Sequence, residues 1–282
     1  MGHTRSIVIG LALVLGQTAW AHAADLGLPP IEPLPAPAPC CGGPWYLKGF
    51  LGAATPNVGS IFTEDFRTND FTVLHEDIKS SPFGGLGIGY DTGHYFRFDI
   101  TGEYRGKSLF LAQDKFPNSN GNFNNLGTPP LPPGVFNPGT NEYTADIESW
   151  IGLANAYVDL GTWACITPYI GGGVGFANIS VLGYKDVNVP NLSVAFGRDN
   201  TETNFAWAVY GGLAYDVTPS VTFDLSYRYT DLGDAHTGRV TTFDGANSNN
   251  GLAINNITSN DLMLGVRWKF GGGPGPAPVA FK

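Results

Sequence analysis

Val221-Thr222-Phe223-Asp224-Leu225-Ser226-Tyr227-Arg228-Tyr229-Thr230-Asp231 alternates between large apolar and polar side chains. Val221, Phe223, Leu225, Tyr227 and Tyr229 share one side; Thr222, Asp224, Ser226, Arg228 and Thr230 share the other. A period of two belongs to an extended strand, because successive side chains point to opposite faces. The pattern returns at Asp261–Phe270, where Leu262, Leu264, Val266, Trp268 and Phe270 oppose Asp261, Arg267 and Lys269. At Tyr95–Lys107, Phe96, Phe98, Ile100 and Tyr104 oppose Arg97, Asp99, Thr101, Glu103 and Arg105. A soluble sandwich with one wet face alternates in the same way. What surrounds the strands therefore decides between a soluble and a membrane protein.

The N-terminus reads as a secretory signal over 1–23. Arg5 supplies the positive region, Ile7 to Leu15 the apolar core, and Ala21-His22-Ala23 a small-x-small cleavage site. No later run approaches the ~18 apolar residues of a spanning helix. Residues 24–44, with P-P-I-E-P-L-P-A-P-A-P, read as an extended periplasmic linker, and 271–282 as a Gly/Pro-rich tail. Charged residues make up 14% of the chain, well below the roughly one quarter of soluble domains. Mean hydropathy is nevertheless near neutral at −0.03, as expected where strands mix apolar and polar residues one for one. A net charge of −9 without basic clusters argues against nucleic acid as a partner.

Eight strands are expected between 45 and 270: about Trp45–Ala54, Phe83–Asp91, Tyr95–Lys107, Asp146–Leu160, Ile166–Tyr184, Asn204–Val217, Val221–Leu232 and Thr258–Phe270. Short turns (Asp91–His94, Gly161–Cys165, Thr218–Ser220) alternate with long polar loops near 55–80, 108–143, 185–203 and 233–257. Short periplasmic turns and long external loops mark outer-membrane barrels. Aromatics gather at the strand ends: Trp45, Tyr95, Phe96, Tyr215, Trp268 and Phe270 at one level, Tyr104, Trp150, Phe176, Phe205, Trp207, Tyr227 and Tyr229 at the other. Membrane interfaces select such girdles. The strands also reach the ~9–11 residues needed to cross a bilayer at a tilt. The expectation is an all-β chain forming an eight-stranded antiparallel up-and-down transmembrane β-barrel.

Ala214-Tyr215-Asp216-Val217-Thr218-Pro219 with Asp224-Leu225-Ser226-Tyr227-Arg228-Tyr229 resembles a turn and seventh strand of the OmpA-like eight-stranded barrels, especially the outer-membrane surface antigens of alphaproteobacteria. Asn155-Ala156-Tyr157-Val158-Asp159-Leu160-Gly161 and Thr167-Pro168-Tyr169-Ile170-Gly171 are similar to the fourth and fifth strands of that family. The resemblance implies the bacterial outer membrane, contact with its lipid and lipopolysaccharide, and delivery by the barrel-assembly machinery. That machinery reads a terminal aromatic in the family; here Phe270 holds that position but is followed by twelve residues. The implied role is envelope integrity and contact with host or environmental surface ligands through four external loops. A narrow small-solute channel of the porin kind is the second reading. A haem-binding surface receptor is the third, because some relatives bind haem; its contacts would be His75 and His236, both expected in long loops.

Alternation turns Lys48, Arg97, Arg105, Lys107, Arg228, Arg267 and Lys269 inward, together with Asp99, Glu103, Asp159, Asp216, Asp224 and Asp261. An eight-stranded lumen is just wide enough for side chains, so these charges must pair. Asp224 is expected near Arg267, and Glu103 is expected to reach Arg228. A plugged core and a pore gated by switching ion pairs both fit this set.

Cys40 and Cys41 precede the first strand and Cys165 lies in a periplasmic turn. In an oxidising compartment this favours a disulfide from Cys40 or Cys41 to Cys165. Three cysteines without a neighbouring histidine make a poor metal set; no metal and no cofactor is expected. No histidine lies within an expected strand, so a positioned His–Ser site is missing and no catalytic residue is assigned. Gly84–Gly89 and Gly171–Gly175 lack the helix and Lys-Ser/Thr of a phosphate loop; glycine there relieves crowding in a narrow barrel. The acidic first loop (Glu64, Asp65, Asp70, Glu76, Asp77) reads as solvated, with cation bridging to lipopolysaccharide as the alternative.

Overall fold

A computed structural model describes residues 43–63, 72–116, 139–189, 192–246 and 248–271. The expected signal peptide, nearly all of the proline linker, Cys40, Cys41, the acidic residues Glu64, Asp65 and Asp70, and the tail beyond Gly271 lie outside them.

The described strands are β1 (Trp45–Asn57), β2 (Ser60–Thr63), β3 (Thr72–Ile78), β4 (Ser81–Asp91), β5 (Phe96–Phe116), β6 (Gly139–Asp159), β7 (Ile166–Asn188), β8 (Val194–Gly197), β9 (Asn200–Thr218), β10 (Val221–His236), β11 (Val240–Thr242), β12 (Ser248–Asn249) and β13 (Leu252–Phe270). Eight of them close a ring in the order β1-β4-β5-β6-β7-β9-β10-β13. Every neighbouring pair is antiparallel, and β1 completes the circle by pairing Trp45 with Phe270 through to Asn57 with Thr258. Closure removes free sheet edges within the bilayer, where an unpaired backbone group has no water to turn to.

The alternation sorts side chains as the sequence leads one to expect. Leu51, Leu86, Ile100, Ile170, Val174, Leu213, Leu225 and Leu264 are exposed on the outer face, between two aromatic belts. Trp45, Tyr95, Phe96, Tyr215 and Trp268 form the lower belt; Trp150, Phe176, Phe205, Trp207 and Tyr227 form the upper. Rings pack within the belts, Trp45 edge-to-face with Tyr90 at 5.2 Å and Tyr104 tilted against Trp150 at 4.8 Å between centroids.

The strands extend further outward than expected. β5, β6 and β7 run 21, 21 and 23 residues, well beyond Trp150 and Phe176. Short β2, β3, β8, β11 and β12 fall in regions read from sequence as loops; β2 pairs with β13, β3 with β5 and β8 with β7, while β11 adds to β8 and β12 to β11. The result is an extracellular collar continuing the barrel wall. Once a strand leaves lipid, nothing demands an apolar outer face, and the alternation that reveals it fades.

One inward assignment is corrected. The register of β5 against β6 shifts between Arg105 and Ser108. That bulge reverses the phase, so Lys107 points outward and reaches Asp146 at 3.4 Å on the exposed wall.

Candidate functional site

The lumen is built in layers. At the periplasmic end Arg97 holds Asp159 at 2.8 Å, Lys269 holds Asp91 at 2.9 Å, and Thr222 donates to Asp216 at 2.6 Å. The Arg97 guanidinium lies over the Tyr157 and Tyr169 rings, 5.0 and 4.7 Å from their centroids. The aromatic rings fit because glycine faces them: a Cβ on Gly89 would enter the Tyr46 ring, and one on Gly212 the Tyr169 ring. Above this, Lys48 lies 3.5 Å from Asp99, and Arg267 clasps Asp224 at 2.7 and 3.1 Å. Asp99 also accepts from Asn155 at 2.7 Å and from Tyr46 at 3.1 Å.

The next layer is a closed circuit of four charges. Arg228 donates to Glu103 at 2.6 and 2.8 Å and to Asp261 at 2.9 Å. Arg105 donates to the same two carboxylates, to Glu103 at 3.0 Å and Asp261 at 2.7 Å. Thr230 and Ser259 hydroxyls add donors to Asp261. All four members are at least 96% shielded from solvent as side chains. The Phe83 ring sits against both guanidiniums, at 5.3 and 5.2 Å. Two anions and two cations in alternation satisfy one another where water cannot, which is the condition for burying charge at all.

Outside the circuit the lumen turns apolar. Ile78, Phe110, Ile147, Ile179, Leu232, Ile254 and Ile257 are all buried and packed into one cluster. This plug fills the collar and sits between the charged layers and the exterior.

At the collar's far end a pair of acids is set among tyrosines. Tyr143 donates to Asp114 at 2.8 Å, as does the backbone N–H of Asn141 at 2.9 Å. Asp186 has one buried carboxylate oxygen without a hydrogen-bond partner. Both lie in strand segments beyond the upper belt. Burial raises Asp114, and burial followed by the nearby Asp114 charge raises Asp186 to about 7. Burial also pushes the Tyr143 hydroxyl up. Sequence reading missed this acid pair, because alternation in the ends of β5 and β7, beyond their register shifts, no longer tracks a lipid face.

The remaining candidates sit apart from the lumen. His75, expected in a loop, belongs to β3 opposite Gln113, beside a register shift. His236, also expected in a loop, ends β10 and places Nδ1 2.8 Å from Glu202. Cys165 is exposed in the turn before β7 with a left-handed φ of 65°. Among the described residues no group of three or more His, Cys, Asp or Glu is arranged to hold a metal.

Residues 42–270 match the model of the outer membrane protein beta-barrel domain. The chain belongs to that family. It is 30% identical over 241 residues to an uncharacterised protein of Brucella suis, covering 79% of this chain and 80% of that one. It is 27% identical to the outer membrane protein PagN of Salmonella typhimurium, covering 80% of this chain and 89% of the relative. Among solved structures, OprG of Pseudomonas aeruginosa aligns with a TM-score of 0.48 at 13% identity, covering 82% of this chain and 98% of that one. Neisserial surface protein A aligns at 0.43 and 19%, covering 80% and 97%. The protein is a bacterial outer-membrane β-barrel, and its exposed apolar wall is the face that meets lipid.

Proposed function

We propose that this barrel is a non-enzymatic structural and surface protein, which supports envelope integrity and meets its surroundings through the extracellular collar and loops. The observation that carries this reading is the filled lumen. A self-satisfied circuit of Glu103, Arg105, Arg228 and Asp261 lies beneath an apolar plug, and neither layer favours a hydrated path. The small-solute channel is the weaker reading for the same reason. Haem capture has less support, since His75 and His236 stand on different elements and His236 is engaged by Glu202. We further infer delivery by the barrel-assembly machinery, with Phe270 as the strand-terminal aromatic.

Planar-bilayer recording of refolded protein, together with detergent sensitivity of a deletion strain, tests this. A sealed lumen gives no discrete conductance steps in the wild type, in Glu103→Ala or in Arg228→Ala, because the plug remains, and the deletion strain leaks. Stepwise conductance that rises in both variants would establish the gated pore instead.

A further inference from the structure

The outward wall of the collar carries a basic and aromatic face whose cations form no ion pair among the described residues. Tyr184 on β7 and Val240 on β11 are buried in the plug, each 3% exposed. Strand alternation therefore turns their neighbours Lys185 and Thr241 outward. Lys185 pairs across to Phe196, Phe196 to Thr241, and Thr241 to Ser248. Residues directly opposite in antiparallel strands share a face, so this row crosses four strands on the outside of the wall.

The next row holds two arginines. The Arg198 N–H donates to the Arg239 carbonyl at 3.1 Å, which sets the two residues opposite each other. Both are exposed. Arg239 reaches Ser248 Oγ at 3.1 and 2.6 Å, which fixes its guanidinium on the outward side. Like charges placed directly opposite one another are unfavourable, and among the described residues no carboxylate pairs with Arg198, Arg239 or Lys185. Nearby acids are directed to other groups and form no ion pair with these cations. Asp199 accepts from the Gly183 N–H, Asp244 from Thr242 and the Ala246 N–H, and Glu142 sits opposite Val187. Beside the cations stand two bare rings, Phe243 at 84% exposure and Phe196 at 48%.

Position selects the occupant. Lys185 lies nine residues beyond the girdle residue Phe176 on β7. At about 3.3 Å per residue and a tilt near 40° that is on the order of 20 Å above the upper belt. The face looks sideways, continuing the barrel exterior, so its neighbours are molecules of the same leaflet. At that height beside an outer-membrane barrel they are sugars. We propose that Lys185, Phe196, Arg198, Arg239 and Phe243 bind the phosphate- and carboxylate-bearing oligosaccharide of adjacent lipopolysaccharide. Guanidinium forks match phosphate and carboxylate oxygens, and the phenyl faces offer apolar area to the C–H side of a sugar ring. The proposal rests on the outer-membrane surface reading and names a ligand for it.

The test is calorimetric titration of nanodisc-embedded, full-length protein with three probes: deacylated rough lipopolysaccharide, its dephosphorylated form, and a heparin fragment. The deacylated oligosaccharide is expected to bind best. Its affinity should fall at least tenfold on dephosphorylation, with rising salt, and in Arg198→Gln/Arg239→Gln. If that double variant fails to fold, Phe243→Ser at a solvent-facing turn reads the same loss. Equal binding by wild type and variants overturns the site, and preference for heparin overturns the lateral occupant in favour of an external glycan. Failure of the surface reading is separately visible, as a wild-type protein that does not form a heat-modifiable barrel.

Discussion

Glu103 is reached by three guanidinium nitrogens from two arginines, so its removal leaves both buried cations to share the single carboxylate of Asp261. Breaking a buried pair of this kind costs about 3–5 kcal/mol, while removing both partners costs much less. Urea unfolding in detergent should therefore show Glu103→Ala and Arg228→Ala each strongly destabilised and the double variant well short of their sum; additive losses would mean the circuit is not coupled. Asp186 works in the opposite sense. Its carboxyl is held up to about 7 by burial and by Asp114, against 3.8 in an unfolded chain. The folded collar thus binds more protons than the unfolded one between those values. The stabilisation is complete below about pH 4 and is lost as pH rises through about 7. Amide protection factors at the upper ends of β6 and β7, taken relative to the base-catalysed intrinsic rate at each pH, should be larger at pH 5 than at pH 8, and Asp186→Asn should flatten most of that difference, leaving the part due to Asp114. An unchanged slope in Asp186→Asn would place the sensitivity elsewhere.

Each strand answers to two solvents, and its outer face is the more demanding where lipid touches it. Leu264 on β13 is 58% exposed while its neighbour Met263 is buried at 3%. Leu264→Arg near the bilayer centre should cost about 2–4 kcal/mol, and Leu264→Val very little; comparable unfolding midpoints for the two would deny that this face meets lipid. The same demand explains what was readable. Leu262, Leu264, Val266 and Trp268 alternate because hydrocarbon excludes anything else there, so β13, β10 and the lower part of β5 stand out in the sequence. Lys107 was misplaced because a bulge leaves no compositional mark. β3, β8, β11 and β12 are hidden in the sequence because a wall with water outside tolerates His75 or Thr241 as readily as leucine. Glu103 and Arg228 could be matched from strand phase and height. The acid pair of Asp114 and Asp186 could not, since both follow register shifts.

At the scale of the whole barrel, closure by β1 against β13 predicts a molecule that resists detergent until heated. Unboiled and boiled samples from an outer-membrane fraction should migrate differently on a gel; a single mobility, or absence from that fraction, would contradict the closed ring. The charge circuit adds a constraint in time. It joins Glu103 and Arg105 to partners 125 and 156 residues further along the chain. A sheet ending at β7 would hold only the Glu103–Arg105 pair, with no Arg228 or Asp261 to close the circuit. A chain truncated before β10 is therefore expected to fail at stable insertion. The final fifth of the chain completes what the second begins, so a chain cut before Arg228 is expected to be missing from the outer-membrane fraction.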